Sequence, residues 1–271
     1  MLAGVGRTAL GVAAVRAHES GRPDRLFDDP FAASFVAAVP GGIGERLDRT
    51  DEQKSVGAAF AAHAVLRTRF YDEYLLAANT RQVVLLAAGL DTRAFRLPWP
   101  DRVRVFEVDL PEVLAFKQTV LDARAAAPAC VRTTVAADLS SPDWAEHLAA
   151  GGFDARRPTA WLIEGVLIYL THEAAETLLS TVDDLSAPGS RVAFEYTTGA
   201  TDDLLDQARK TAAMAGYAEL WQGGLAVDAA DWLRERGWRP TVHALGDLAA
   251  GYGRPLRRRA ASSLLEAVRD G

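Results

Sequence analysis

The sequence predicts an α/β fold, a doubly wound and mostly parallel sheet of seven strands, preceded by helices. Amphipathic stretches at 111–126 and 172–185 separate short apolar segments. Strands that alternate with helical segments are typical of βαβ units and a parallel sheet. The early segments are continuously apolar, as in a sheet covered on both faces. The predicted strands are residues 83–88, 103–108, 131–137, 160–164, 191–196, 241–244 and 262–268.

Residues 1–80 carry a helical pattern without a strand-like segment. In "DDPFAASFV" (28–36) an aspartate precedes Pro30, which is favoured at the first position of a helix, and residues 58–78 form a long amphipathic stretch. We expect one structural unit, with residues 1–80 as an N-terminal helical cap or lid and residues 81–271 as the cofactor-binding domain. A static layer of core helices is the alternative to a lid.

The net charge and the cysteine content of the sequence disfavour some classes of binding partner. The chain of 271 residues has a formal net charge of −6, which disfavours sequence-independent binding to nucleic acid. The arginine run at 257–259 is interpreted as a solvated face. Cys130 is the only cysteine, so no intramolecular disulfide can form and a reducing, cytoplasmic location is expected. No apolar run reaches the ~20 residues of a membrane span. The expected partner is a small molecule, and the oligomeric state stays open.

The first predicted strand ends in "AAGLDT" (87–92), a loop with one glycine. A dinucleotide site would require G-x-G-x-x-G at this point, and Asp91 would repel a pyrophosphate. An acidic loop beside Gly89 instead suits a ligand with an ammonium and a sulfonium. This pattern favours S-adenosylmethionine as the cofactor, with a simple strand-to-helix turn as the alternative.

The second strand ends in "VFEVDLPEV", which places Glu107 and Asp109 downstream of Gly89 at the tip of the next strand. An acidic side chain about 20 residues after the glycine loop commonly binds the hydroxyls of an adenosine ribose. Both carboxylates point to the same face, and Asp109 is preferred because it is nearer the strand end. The alternative is that Asp109 caps the helix that begins at Pro111.

Two further strands end in candidate ligand-binding residues. Asp138 and Leu139 follow the third strand, where they could hold an adenine amine and ring, although Asp-Leu-Ser-Ser-Pro is also a common turn. Glu164 ends the fourth strand and could favour a sulfonium, and Tyr169 could line the acceptor pocket. The alternatives are an arginine partner for Glu164 and a core position for Tyr169.

The segments "LLAAGLDTRAFRL", "FEVDLPEVLAFK", "ADL" and "WLIEGVLIYL", in this order and spacing, resemble the leucine carboxyl methyltransferase family. The resemblance extends to "RAHESGRPDRLFDDPFAASFV", "LRTRFYDEYLL" and "WLRERGWRP", and so covers nearly the whole chain. It implies a class I, Rossmann-like methyltransferase fold that uses S-adenosylmethionine. The family includes polyketide O-methyltransferases and many members of unassigned substrate.

The resemblance also implies roles for individual residues. Arg67 would pair with the methionine carboxylate, with Arg16 as a second partner. Gly89 and Asp91 would line the methionine portion, and Asp109 would hold the ribose hydroxyls. On the same basis, the adenine and the sulfonium would be bound by Asp138, Leu139 and Glu164.

One position departs from the family pattern. The family usually has Gly-Ala-Gly-Leu-Asp in the first loop, and here Ala87 replaces the first glycine. If this position requires a positive φ, the alanine is strained.

The expected chemistry is metal-independent transfer of a methyl group to a carboxylate, or a hydroxyl, of a small molecule such as a secondary metabolite, with Glu164 and Tyr169 at the reacting centre. A protein C-terminus stays open as the alternative acceptor. A carboxylate acceptor needs no base, whereas a hydroxyl acceptor would benefit from one. His172 is the best candidate base, although solvation at a helix start is the simpler interpretation. The remaining histidines show no paired arrangement in the sequence, namely His18, His63, His147 and His243.

Two other classes of function remain compatible with the sequence. An NAD-linked oxidoreductase would share the sheet and the acid on the second strand, but the three-glycine loop is missing. A non-catalytic relative would keep the cofactor site and fill the acceptor pocket.

Overall fold

The computed structural model describes residues 5–39, 51–197, 221–256 and 262–271. In these residues one seven-stranded sheet has the order β3-β2-β1-β4-β5-β7-β6. Every predicted strand is present, with ends that differ by three residues or fewer. The strands are β1 Gln82–Leu86, β2 Arg104–Asp109, β3 Val131–Ala136, β4 Thr159–Ile163, β5 Arg191–Thr197, β6 Trp238–Ala244 and β7 Ser262–Arg269.

The sheet is parallel from β3 through β5 and antiparallel at β7. β1 pairs with β2 on one side and with β4 on the other, so the strand order reverses between β1 and β4. In doubly wound sheets, ligands bind beyond the carboxyl ends of the strands at this reversal. A ligand-binding site is therefore expected at the loops that follow β1, β2, β3 and β4.

Within residues 5–39 and 51–80 the structure contains helices and no strand. None of the helices in the described part of the chain is long and apolar enough to cross a membrane. The arginine run at 257–259 lies outside the described residues. The helices are α1 Val5–Ser20, α2 Ala32–Ala37, α3 Asp51–Ala77, α4 Arg93–Arg96, α5 Pro111–Ala123, α6 Trp144–Ala150, α7 His172–Asp184, α8 Ala229–Arg234 and α9 Leu245–Gly251.

The predicted helix start at Pro30 is wrong. α2 begins instead at Ala32, because Asp29 first closes a turn. The Asp29 carboxylate accepts hydrogen bonds from the backbone N–H groups of Phe31 and Ala32, both at 3.1 Å. The aspartate thus binds backbone donors, as a capping residue does, but Pro30 lies in the turn.

The two largest parts of the core are apolar layers on opposite faces of the sheet. In β1, Val84 and Leu86 pack in the layer that includes α6 and α7, whereas Val83 and Leu85 pack in the layer that includes α1, α3 and α5. Successive residues of a strand face opposite sides, so both sets must be apolar. This requirement explains the continuous apolar runs in the sequence.

A buried ion pair crosses from β2 to α5. Glu107 and Lys117 are both fully buried, with Lys117 Nζ 2.8 Å from Glu107 Oε2. Arg132 of β3 donates to the same oxygen from Nη2 at 2.7 Å and from Nε at 3.0 Å. Glu107 is therefore committed to the core, and Asp109 is the acidic residue of β2 that remains at the strand end.

We predict that Glu107→Gln lowers the free energy of unfolding by about 3–5 kcal/mol, because it leaves the Lys117 ammonium buried without a carboxylate. Urea denaturation measures the change. The matched control is Asp231→Asn, which breaks an exposed ion pair with Arg234 and should cost about 1 kcal/mol or less. Equal losses in the two variants would contradict the prediction.

Candidate functional site

The loop after β1 is bound to the end of β2 by hydrogen bonds. Gly89 has a φ of +46°, and its N–H donates to Asp109 Oδ2 at 2.6 Å. The N–H of Ala88 donates to the carbonyl of Val108 at 3.0 Å. Ala87 has a φ of +53°, so the position where the family usually has glycine does adopt the left-handed conformation.

Asp109 organises this edge of the sheet without capping α5. Its Oδ1 accepts the N–H of Leu110 at 2.7 Å, while α5 has Leu110 as its N-cap and no side-chain cap. The capping alternative is therefore wrong. Burial raises the pKa of Asp109, and the N–H groups of Gly89 and Leu110 oppose that rise. A carboxylate offers about four acceptor positions, so about two remain for ligand hydroxyls.

The residues after β3 form a hydrogen-bonded turn, in which the N–H of Ser141 donates to the carbonyl of Asp138 at 3.0 Å. Asp138 is exposed, and its Oδ1 accepts hydrogen bonds from the N–H and the hydroxyl of Ser140 at 2.9 and 2.7 Å. The alternative that the sequence offered, a common Asp-Leu-Ser-Ser-Pro turn, therefore describes the local structure of this segment. Leu139 is partly buried and packs against the core, which leaves part of its side chain at the surface beside Asp138.

Glu164, directly after β4, is paired with two arginines. Its Oε1 lies 2.9 Å from Arg67 Nε, and its Oε2 accepts from Arg93 Nη1 at 2.7 Å. Burial by itself would raise the pKa of Glu164, but Arg93 and Arg67 outweigh it and hold the pKa below its ordinary value. The carboxylate is therefore ionised and fixed in position, as the arginine-partner alternative anticipated.

Arg93 connects three segments of the chain. It was not identified as a site residue from the sequence. Its guanidinium is bonded to Asp72 of α3 at 2.7 Å, to Asp91 of the loop and to Glu164. Burial would raise the pKa of Asp91, but Arg93 and other cations lower it to about 2. Arg96, the second arginine of "DTRAFR", also pairs with Asp72. These arginines beside an acidic loop are the signal in the sequence that could have identified the network.

Arg67 lies between two carboxylates. Besides Glu164, it contacts Glu195, to whose Oε1 its Nη1 donates at 2.6 Å. Glu195 Oε2 accepts the N–H of Gly165, which has a φ of +67°, at 2.9 Å. No pattern in the sequence singles out Glu195, which is distant from Arg67 along the chain.

Arg16 links the N-terminal helices to the loop after β1. Its Nε donates to Asp29 Oδ2 at 2.8 Å, and its Nη2 donates to the carbonyl of Leu90 at 2.6 Å. The guanidinium is buried and contacts the backbone of the segment that carries Gly89 and Asp91. Arg16 therefore holds this loop from the side of α1.

The segment after Glu164 forms a single 3₁₀ turn, Leu167–Tyr169, in which Tyr169 is half-buried. His172 begins α7, and its Nδ1 lies 2.6 Å from the carbonyl of Gly224. His172 is thus bound to a neighbouring loop rather than simply solvated. His63 lies one helical turn before Arg67 on α3, and burial together with Arg67 lowers its pKa to about 4.

The charged groups of the arginine–carboxylate network nearly balance. The carboxylates of Asp72, Asp91, Glu164 and Glu195 face the guanidiniums of Arg67, Arg93 and Arg96, which gives a net charge of −1 when all are ionised. Within the described residues, no group of three or more His, Cys, Asp or Glu side chains is arranged to hold a metal ion.

Comparisons with known proteins identify a family and a class of enzyme. The pattern described as "Leucine carboxyl methyltransferase" matches residues 9–183. A protein of Parafrankia sp. (strain EAN1pec) is 50% identical over 88% of this chain and 77% of its own length, and one of Frankia alni is 49% identical over 98% and 95%. Both relatives bear the name "putative S-adenosyl-L-methionine-dependent methyltransferase". The crystal structure of a "putative methyltransferase" from Thermobifida fusca shares the fold with a TM-score of 0.56 at 17% identity, over 97% of this chain and 94% of that one.

We predict that Ala87→Gly raises the free energy of unfolding by up to about 1 kcal/mol. The left-handed conformation costs an alanine ~1–2 kcal/mol, and the added flexibility of glycine in the unfolded chain offsets ~0.4–1 kcal/mol of the gain. Urea denaturation tests the change against Ala88→Gly, where φ is not positive and the buried methyl is lost. The control should be destabilised, and destabilisation of both variants would show that Ala87 is not strained.

Proposed function

The chain belongs to the leucine carboxyl methyltransferase family and is an S-adenosylmethionine-dependent methyltransferase, and we propose that it methylates an oxygen of a small molecule. The acceptor oxygen belongs to a carboxylate or a hydroxyl, and the molecule is of the secondary-metabolite class. No metal is required in this proposal, because the methyl group is already activated by the sulfonium. The single cysteine suits a cytoplasmic setting.

The observation that carries the proposal is the order of residues along one edge of the sheet. Gly89 follows β1, Asp109 ends β2, and Asp138 with Leu139 follows β3, and these three strands are neighbours. Parallel strands are about 4.8 Å apart, so these ends span about 10 Å. The edge thus offers, in sequence, positions for the methionine portion, the ribose and the adenine.

The charge of the site supports the same cofactor. S-adenosylmethionine carries an ammonium, a sulfonium and a carboxylate, and its net charge of +1 complements the net −1 of the paired network. Because each carboxylate of the network is already bonded to an arginine or a backbone N–H, the groups are held in place before the ligand arrives. Such preorganisation avoids reorienting dipoles and charges during the reaction.

In this proposal the side chains bind and orient, and the cofactor supplies the activated methyl group when it is bound. Asp109 would accept the ribose hydroxyls, and Arg67, with Arg16 beside the loop, would face the methionine carboxylate. Glu164 would lie near the sulfonium, and Tyr169 would line the acceptor pocket beyond β4. Alignment of acceptor oxygen, methyl and sulfur in a water-poor pocket can contribute up to ~7–11 kcal/mol.

We also propose that residues 1–80 act as a lid over this edge. The supporting contact is the hydrogen bond from Arg16 of α1 to the carbonyl of Leu90, which joins the N-terminal helices to the loop beside the proposed cofactor position. A ligand bound at that loop would stabilise the same contact. Closure would exclude water from the sulfonium.

We predict that S-adenosylmethionine binds in a calorimetric titration and that NAD does not. Asp109→Ala should weaken binding at least tenfold, because charged hydrogen bonds worth ~1.5–3 kcal/mol are lost. The matched control is Asp122→Ala, an exposed carboxylate on α5 that accepts from Gln118 and should leave the affinity unchanged. Unaltered binding by a folded Asp109→Ala protein would refute the placement of the ribose.

The same protein is then assayed for S-adenosylhomocysteine formation with libraries of small carboxylic acids and hydroxyl compounds. Turnover with members of either library supports the proposed reaction. Cofactor binding without turnover in both libraries would favour the non-catalytic relative instead.

We predict that residues 5–39 exchange their amide hydrogens faster than β1 and β4 in the free protein and gain protection when S-adenosylhomocysteine is bound. The physical reason is that a lid is held by fewer buried contacts than the central strands until the ligand adds its own. Hydrogen exchange with and without the ligand measures this. Strong and equal protection in both states would contradict the lid and support the alternative, a static layer of core helices.

A further inference from the structure

Glu195 lies at the carboxyl end of β5, next to Glu164. Phe194 is the register partner of Ile163 in β4, so the residues that follow them, Glu195 and Glu164, are neighbours across the two strands. The Glu195 carboxylate accepts from Arg67 Nη1 and from the N–H of Gly165. Its side chain is 24% exposed, so part of the carboxylate side chain is accessible to solvent.

The topology places Glu195 on the acceptor side. The proposed adenine, ribose and methionine positions lie beyond β3, β2 and β1, on one side of the strand-order reversal, and Glu164 after β4 is proposed to lie near the sulfonium. β5 lies beyond β4, one strand farther from these positions, so its end is left for the second reactant. Glu195 thus presents a carboxylate where the methyl acceptor would approach.

A carboxylate at this position selects against anionic acceptors. An acceptor carboxylate beside Glu195 would also be close to Glu164, and like charges in a partly buried site repel. A neutral hydroxyl would instead donate a hydrogen bond to Glu195, which charge makes stronger than a neutral one. The arrangement therefore favours a hydroxyl over a carboxylate as the methyl acceptor.

We propose that Glu195 is the general base for methylation of a hydroxyl acceptor, and that it becomes available when the methionine carboxylate of the cofactor pairs with Arg67. This inference rests on the proposed function, since it assumes that S-adenosylmethionine binds with its carboxylate at Arg67. In the step, the acceptor O–H bond breaks and its proton moves to Glu195 while the O–CH₃ bond forms. The electron pair of the breaking methyl–sulfur bond stays on sulfur, which loses its positive charge. Glu195 loses its negative charge when it takes the proton, so the net charge is unchanged.

The groups around Glu195 explain how its basicity would change. Arg67 and Tyr71 face it from α3, Glu164 faces it from the end of β4, and the N–H of Gly165 contacts it directly. Burial raises the pKa of Glu195, and Arg67 acts in the opposite direction. When the methionine carboxylate of the cofactor also pairs with Arg67, Arg67 lowers the pKa of Glu195 less strongly. The pKa of Glu195 then rises further, toward the range in which a carboxylate acts as a general base.

The first test uses S-adenosylhomocysteine, which carries the same carboxylate as the cofactor. Calorimetric titrations in buffers of different ionisation enthalpy, from about pH 5 to about pH 8, measure the protons taken up per ligand bound. We expect uptake of up to one proton by the parent and by Glu195→Asp, and none by Glu195→Gln. The matched control is Glu266→Gln, which removes another strand carboxylate that accepts from an arginine, Arg191, and should keep the uptake.

Affinity separates this role from a merely structural one. Glu195→Gln should bind S-adenosylhomocysteine at least as tightly as the parent, because one anionic competitor for Arg67 is gone. A parent protein that fails to bind the ligand would refute the proposed function itself. Binding without proton uptake, or uptake that persists in Glu195→Gln, would overturn only the role of Glu195. Uptake that disappears in His63→Gln but persists in Glu195→Gln would assign the proton to His63 instead.

The second test compares a panel of phenols with the matching aryl carboxylates as acceptors. We expect turnover of phenols, a loss of about 10²–10⁴-fold in kcat for Glu195→Gln, and loss of the acid limb from its pH profile. Glu266→Gln should keep both the rate and the profile. Methylation of the carboxylates alone, or an unchanged rate in Glu195→Gln, would overturn the proposal.

Discussion

The buried guanidinium of Arg93 is bonded to carboxylates from three parts of the chain, Asp72 of α3, Asp91 of the first loop and Glu164 after β4. A buried cation without partners would cost several kcal/mol, so the three carboxylates must stay within hydrogen-bond distance of it. This constraint fixes the loop after β1 against the end of β4, which is where the strand order reverses. The position of the candidate site follows from it.

The N-terminal helices share the same constraint. α3 supplies Asp72 to Arg93 and Arg67 to Glu164, and α1 supplies Arg16 to the carbonyl of Leu90. The helices therefore do more than cover one face of the sheet. They complete the ion pairs of its functional edge, so the cap and the sheet form one polar structure at the site. A lid built on such contacts would open by exchanging protein partners for water or ligand.

Several residues that the sequence singled out already have protein partners. Glu164 and Arg67 are paired with each other, Asp91 is paired with Arg93, and Asp109 accepts two backbone N–H groups. These contacts hold the side chains in place and leave unused acceptor positions, as on Asp109. Ala87 shows the opposite case, since its left-handed φ is a strain that the surrounding loop maintains.

The sequence by itself determined the seven strands, the helical front and the strand ends that carry Gly89, Asp109 and Glu164. These features are local: apolar runs specify strands buried on both faces, and chemistry placed directly after such a run must lie at the edge of the sheet. The tertiary structure alone decided which charges meet. Arg67 pairs with Glu195, and Arg93 pairs with Glu164, across long stretches of intervening chain. No local pattern records such pairs, because an ion pair depends on distance in space and on burial, which exist only once the helices pack on the sheet.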